Sequence, residues 1–239
     1  MTTIYDRFQR RLVVSRSPSI HSKKLKWLMI LPGATVVVDR LGNCECRRRL
    51  FHMSPSLLPF GLLLVPRDHE RGQLVVSITV LLAIAALSLA IAFCPKLKRP
   101  GEKHWMHAVL GYMVPVVVPM LFWSQHYEFG LMTLQILAVG DGSATFGGVM
   151  FGGRTLPWNR HKTLTGLACF TICGSLAATC SYWLEASTRP TFADSFLICG
   201  IASLCAAIVE SLPIQSNDNL RVGITALLAG ITMSAFFAP

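Results

Sequence analysis

Long apolar runs separated by short polar connectors dominate the chain. Runs near 53–66, 73–94, 105–123, 130–151, 163–184, 191–209 and 220–238 are placed as helices crossing a bilayer. The stretch from Gln73 to Cys94 is the clearest, because it carries no charged residue. At about 1.5 Å per residue it crosses a hydrocarbon core of about 30 Å. The run at 53–66 is short and holds Pro55 and Pro59. Residues 27–38 are apolar but too short to span, and fit a re-entrant, interfacial or short extended segment equally. The pattern predicts an all-α fold, a polytopic membrane helical bundle of about seven transmembrane helices. Residues 47–239 form that bundle, and residues 1–46 form a basic N-terminal tail with a short apolar segment.

Composition agrees with the pattern. The chain is 52% hydrophobic and 14% charged, with mean hydropathy +0.51, which is the profile of an integral, multi-pass membrane protein. The basic start (Arg7, Arg10, Arg11, Arg16) leads into polar sequence rather than an apolar signal core. A transit-peptide reading of residues 1–26 stays open.

A net charge of +10 invites a nucleic-acid reading, but its distribution follows topology instead. On the span map, one side receives Arg40, Arg47, Arg48, Arg49, Lys96, Lys98, Arg99, Lys103, Arg154, Arg160, Lys162 and Arg221. The other receives Arg67, Arg71 and Arg189. Such a bias marks the richer side as cytoplasmic, or stromal in a plastid, and calls for no nucleic acid. The expected host is a bacterial inner membrane, or an ER or plastid membrane in a eukaryote.

The chemistry concentrates in residues 140–166. Asp141 lies within an apolar run, where a charge costs roughly 2.5–3.5 kcal/mol on insertion scales and is read as functional. Asp141, Ala144, Thr145, Gly148 and Gly152 recur at helical spacing on one face. That face is acidic at one end and nearly bare beyond, open to another backbone or to a polyphosphate. Gly148-x-x-x-Gly152 taken alone reads as a helix-packing face. Gly153, Arg154, Arg160 and Lys162 form a basic loop after it. The pattern argues against a Rossmann loop, because Thr145 stands where the third glycine belongs, and a Walker A loop fails because His161 precedes Lys162-Thr163.

Two further clusters fall on the same predicted side. Arg47-Arg48-Arg49-Leu50-Phe51-His52 sits at the mouth of the first span, and serves either as a positive-inside anchor or as a guanidinium cluster for phosphate oxygens. The loop from Glu210 to Arg221 carries Pro213, Asn217, Asp218 and Asn219, which suit a plain turn or hard-oxygen ligation of Mg²⁺. Cys44-x-Cys46 reads as ordinary thiols beside a turn, and the remaining cysteines fall in apolar runs.

Together these elements resemble the polyprenol/phytol kinase family, which includes dolichol, phytol and farnesol kinases and the CTP-dependent diacylglycerol kinase. The resemblance lies in Gly140-Asp141-x-x-Ala144-x-x-x-Gly148-x-x-x-Gly152, Lys162-Thr163-x-x-Gly166, Glu210-Ser-Leu-Pro213 and Asp218-Asn219-Leu220. Arg48-Arg49-Leu-Phe-His52 is similar to the family's N-terminal element, with Arg49 where lysine is usual. Thr165 stands where the family often has glutamate. The similarity spans roughly residues 47–238. It implies transfer of the γ-phosphate of CTP or another nucleoside triphosphate to the hydroxyl of a membrane isoprenoid alcohol or diacylglycerol, at the cytoplasmic face. It further implies Mg²⁺ held by Asp141, Asp218 and Glu210. Nucleotide contacts are expected from Arg48, Arg49, Gly148, Gly152, Lys162, Thr163 and Asn219. Asp141, Lys162 and His52 are the expected catalytic residues, with Asp141 or His52 taking the alcohol proton. A cytidylyltransferase of the CDP-diacylglycerol synthase type and a non-enzymatic membrane protein are the alternatives. The sequence leaves the oligomeric state open.

Overall fold

The structure is a computed structural model that describes residues 34–62, 75, 78–80, 82–83, 85–86, 105–214 and 216–237. Residues 1–33, the end of the expected span at 53–66, most of the expected span at 73–94 and the connector at 95–104 lie outside the described residues. The rest is overwhelmingly helical. In chain order come α1 (Ala34–Leu41), α2 (Asn43–Met53), a 3₁₀ turn (Ser54–Leu57) and a short α3 (Leu58–Leu62). They are followed by α4 (Trp105–Phe122), α5 (Glu128–Gln135), a π-helical turn (Ile136–Gly140) and α6 (Asp141–Phe151). A two-stranded hairpin, β1 (Thr155–Leu156) and β2 (Asn159–Thr163), then leads into α7 (Leu164–Glu185), α8 (Phe192–Ser211) and α9 (Asp218–Phe237).

Three helices, α7, α8 and α9, are long and apolar enough to cross a membrane, and Met106–Phe122 is a shorter apolar helix. The expected span at 130–151 is a single helical path from Glu128 to Phe151, interrupted by the π turn. About seven crossings is therefore more than the described residues supply. The basic loop is also more ordered than the all-α expectation. It folds into an antiparallel hairpin pairing Thr155 with Thr163 and Leu156 with Asn159. The described end of the expected short apolar segment is helical, as part of α1.

The segment α5 and its π turn run through the centre. Leu131, Met132, Leu134, Ile136, Leu137 and Ala138 are all buried, as are Thr133 and Gln135. A helix buried on every side belongs to the middle of a bundle. Phe170, Tyr182, Ile198 and Met120 complete the core from α7, α8 and α4. The outward faces are apolar instead of polar. Ile172, Leu176 and Trp183 on α7, Phe196, Leu204 and Ile208 on α8, and Leu228 on α9 are exposed. Such faces suit lipid tails as the surrounding medium.

Small residues let the helices cross closely. A Cβ on Gly174 of α7 would lie 2.6 Å from Ser203 Oγ of α8 and 3.4 Å from Gly140 Cα at the end of the π turn. A Cβ on Gly166 would lie 3.0 Å from the Ala144 carbonyl oxygen, and one on Gly148 3.7 Å from Gly166 Cα. Backbone therefore meets backbone where α6 and α7 cross. Overpacking such a contact costs about 1–3 kcal/mol. Gly174→Val is accordingly expected to lower the unfolding temperature in detergent by several degrees, measured by the thermal melt of purified protein, while Ile172→Val on the exposed face of the same helix leaves it unchanged.

Candidate functional site

The π turn sets up the site. A π bulge adds a residue to a turn and rotates whatever follows it, and Asp141 is the first residue beyond this one. Its carboxylate points inward to the mouth of the bundle with 21% of the side chain exposed. Arg49 Nη1 of α2 donates to Asp141 Oδ2 at 2.6 Å. His52, one turn further along α2, places Nε2 3.4 Å from the same oxygen, without hydrogen-bonding alignment. The helical spacing of Arg48, Arg49 and His52 thus turns two of the three onto Asp141.

Arg48 is held by Glu45 through two hydrogen bonds, Nε to Oε2 at 3.0 Å and Nη2 to Oε1 at 2.6 Å. Arg49 Nε reaches the same carboxylate at 3.3 Å. Glu45 was absent from the expected site, although its position three and four residues before the arginines is the ion-pair spacing of a helix. On the far wall, Lys162 of β2 pairs with Glu210 in the last turn of α8. Lys162 is near enough to Asp141 for their charges to interact, and Glu210 near enough to both Asp141 and Asp218. Four sequence-distant segments, α2, the start of α6, β2 and the end of α8, therefore share one cluster.

The hairpin that carries Lys162 is tied to α8 beside Glu210. Trp158 Nε1 donates to Ser211 Oγ at 2.9 Å, and Asn159 Nδ2 donates to the Ser211 carbonyl at 2.9 Å. Thr163 caps α7, its hydroxyl accepting from the Gly166 amide at 3.1 Å. Thr165 donates to the Gly152 carbonyl, joining the end of α6 to the start of α7. Gly152 itself has φ +64 with open space around its missing side chain, and glycine alone adopts that backbone freely. Gly148 sits at the α6–α7 crossing.

The remaining expected residues stand further out. Asp218 is 66% exposed and pairs with Arg221 at 2.9 Å. Asn219 Nδ2 donates to the Ala108 carbonyl at 2.9 Å, and Asn217 to that of His107, so this loop ties α9 to α4. Among the described residues, no group of three or more His, Cys, Asp or Glu side chains is arranged to hold a metal ion. The three carboxylates expected to bind Mg²⁺ are each engaged by a basic side chain instead.

Tyr112 of α4 is the other residue that motif reading missed. Its ring stands edge-on to His52, with centroids 5.1 Å apart at 81°. Its hydroxyl is buried without a hydrogen-bond partner, as is His52 Nε2. A tyrosine inside an apolar run gives no spacing signal that would have found it. Burial holds the His52 pKa below the ordinary histidine range, and the Asp141 carboxylate opposes that shift without cancelling it.

Comparison with known proteins finds relatives by sequence. The chain is 28% identical over 205 residues to "Probable phytol kinase 3, chloroplastic" of Glycine max, covering 78% of this chain and 62% of that protein. It is 28% identical over 125 residues to "Phytol kinase 1, chloroplastic" of Arabidopsis thaliana, covering 50% and 41%. Over 152 residues it is 28% identical to "Probable phytol kinase, chloroplastic" of Triticum aestivum, covering 59% and 49%. The chain spans about half the length of the curated relatives it matches. No family model matches it, and no solved structure matches it. The resemblance to the polyprenol/phytol kinase family read from the motifs is thus borne out by its homologues.

Two outcomes follow from the cluster. Arg49 and Asp141 are direct partners, so a double-mutant cycle of Arg49→Ala and Asp141→Asn, read by thermal or denaturant unfolding, is expected to give a coupling energy of about 1–2 kcal/mol. His52 refuses a proton in the folded chain that the unfolded chain accepts. As pH falls from the ordinary histidine pKa of about 6.5 toward the lower folded value, stability is lost. The unfolding temperature of the wild type should fall more steeply between about pH 7 and pH 5 than that of His52→Gln, which lacks this group.

Proposed function

Taking the chain as a relative of the phytol kinases, we propose that it is a membrane lipid-alcohol kinase. It transfers the γ-phosphate of CTP or another nucleoside triphosphate to the hydroxyl of an isoprenoid alcohol of the phytol class. The observation that carries this reading is the meeting of Asp141, His52, Arg49 and the Lys162–Glu210 pair at the mouth of an apolar bundle. Phosphoryl transfer is served chiefly by positioning and charge neutralisation, and the cluster offers both beside a lipid-facing surface.

In this scheme Arg48, Arg49 and Lys162 receive the triphosphate oxygens. Each is held in place by a carboxylate of the chain, so the triphosphate meets cations already positioned instead of gathering loose side chains. Arginine suits phosphate through its paired donors, and lysine as a compact charge. Gly152 and Thr163 flank the same rim and lend backbone and hydroxyl groups, with Gly148 keeping the helices close beneath them. Asn219 fixes the α9 loop on α4 at the edge of the pocket.

His52 is the better proton acceptor of the two expected. Asp141 Oδ2 already takes a short bond from Arg49, whereas His52 is held neutral by burial and its Nε2 is free of hydrogen bonds. Asp141 then orients Arg49 and stabilises the imidazolium as it forms.

Mg²⁺ is part of the proposal. The donor set fits an ion that arrives with the triphosphate and is held by phosphate oxygens plus one or two carboxylates, as is usual for Mg²⁺. Asp141 and Glu210 are the carboxylates within the cluster, and Asp218 stands at its exposed edge. When bound, the ion would neutralise charge on the transferring phosphate. The proposed setting is an integral membrane with the active mouth on the cytoplasmic or stromal face. The names of the relatives favour a plastid among the candidate membranes.

The deciding experiment incubates purified chain in detergent with Mg²⁺, γ-labelled and α-labelled CTP or ATP, and phytol, farnesol or diacylglycerol. Label from the γ-position in a lipid monophosphate, together with nucleoside diphosphate, is the expected result. Asp141→Asn and Lys162→Ala should each lower kcat/KM by about 100-fold or more. Pyrophosphate and an α-labelled nucleotide-lipid would instead identify a cytidylyltransferase, and wild-type turnover in both variants would overturn the site.

A further inference from the structure

The kinase reading assigns the phosphates to arginine and lysine but leaves the alcohol unplaced. Two buried atoms in the cluster make no hydrogen bond: the Tyr112 hydroxyl, and His52 Nε2, which lies 3.4 Å from Asp141 Oδ2 without hydrogen-bonding alignment. Only 8% of Tyr112 is exposed. Buried polar groups in folded proteins are almost always hydrogen-bonded, and an orphan beside a reactive cluster calls for an explanation. Here the two atoms belong to rings in edge-on contact, 5.1 Å between centroids, which places both beside the same part of the cluster.

The chemistry of the two atoms selects the ligand. A phenol offers a donor, and the Nε2 of a neutral imidazole with its proton on Nδ1 offers an acceptor. An alcohol hydroxyl complements the pair, since it accepts through a lone pair and donates its proton. A fully ionised phosphate has only acceptors and would leave a neutral His52 Nε2 unpaired. Phosphate oxygens also have better partners nearby in Arg48, Arg49 and Lys162. The helix that carries Tyr112 adds a second clue. Tyr112 lies on the buried face of α4, while Met106, Leu110, Val114 and Val118 on the opposite side are exposed and apolar. An exposed apolar surface suited to lipid therefore lies one helix thickness from the phenol.

We propose that Tyr112 and His52 Nε2 together form the hydroxyl-binding site for the acceptor alcohol, with Tyr112 donating to the alcohol oxygen. This rests on the kinase reading and names the acceptor subsite within it. In the reaction, the alcohol oxygen forms a bond to the γ-phosphorus. The bond from that phosphorus to the β,γ-bridging oxygen breaks, and its electron pair leaves with the nucleoside diphosphate. The alcohol proton passes to His52 Nε2. Tyr112 keeps its own proton throughout, and fixes the lone pair of the alcohol oxygen that attacks.

The test uses purified full-length chain in detergent, phytol as acceptor, and the parent hydrocarbon phytene as a competitive probe without a hydroxyl. Tyr112→Phe keeps the ring and removes only the donor. The KM for phytol is expected to rise about tenfold or more, the KM for nucleotide to stay within about twofold, and the inhibition constant of phytene to be unchanged. A role confined to packing would move phytol and phytene together, and that result would overturn the inference. So would an unchanged KM for phytol. If Tyr112→Phe does not fold, Tyr112→Met carries the same comparison. Wild-type protein that transfers phosphate to no alcohol would remove the kinase reading and this subsite at once. A competent wild type whose Tyr112 variant shows no split removes the subsite alone.

Discussion

The ion pair between Arg49 and Asp141 is the contact around which the mouth of the bundle is organised. A carboxylate that follows an all-round buried helix and is largely withdrawn from solvent is stabilised by a cation close by. Arg49 is that cation, at 2.6 Å. In doing so it docks α2, an otherwise polar helix, onto the apolar core at the level of the π turn. His52 and Arg48 are carried into position by the same docking, since all three share one helix. The electrostatic requirement of one acid therefore decides where a whole N-terminal element lies.

A second constraint acts through glycine. Gly140, Gly148, Gly166 and Gly174 allow α6 and α7 to cross with backbones nearly touching, which brings the hairpin between them close over Asp141. Ser211 then clamps Trp158 and Asn159, and Lys162 is delivered to Glu210. The two walls of the cluster are built by different physics. One is an ion pair made across the sequence, and the other is close packing that leaves a short loop no other course.

The charges of the cluster nearly balance before any ligand arrives. Glu45 holds Arg48 and Arg49, Asp141 holds Arg49, and Glu210 holds Lys162. Cations kept in place by carboxylates do not repel one another or wander into solvent, and they remain available to a stronger anion. Such preorganisation is what electrostatic catalysis of phosphoryl transfer asks of a protein. Against this ionic background the neutral pair, Tyr112 and His52, stands out as the part suited to a hydroxyl.

The linear pattern was enough to read a mostly helical chain, the apolar runs that become α4, α7, α8 and α9, and the family resemblance. Each of these depends on run length, periodicity or local spacing, which a chain displays without folding. The pattern also picked out Asp141, Lys162, Arg49, His52 and Glu210, since charged residues beside apolar runs are conspicuous by their cost. Their partnerships were invisible. Only tertiary structure sets Arg49 against Asp141, ninety-two positions away, sends Asp218 outward to Arg221, makes Thr163 a helix cap and turns a basic loop into a hairpin. Tyr112 illustrates the limit best. In the sequence it is one aromatic among valines and prolines, and its meaning arises from an unmatched hydroxyl beside His52. That is a property of three-dimensional neighbours, and no spacing rule along the chain encodes it.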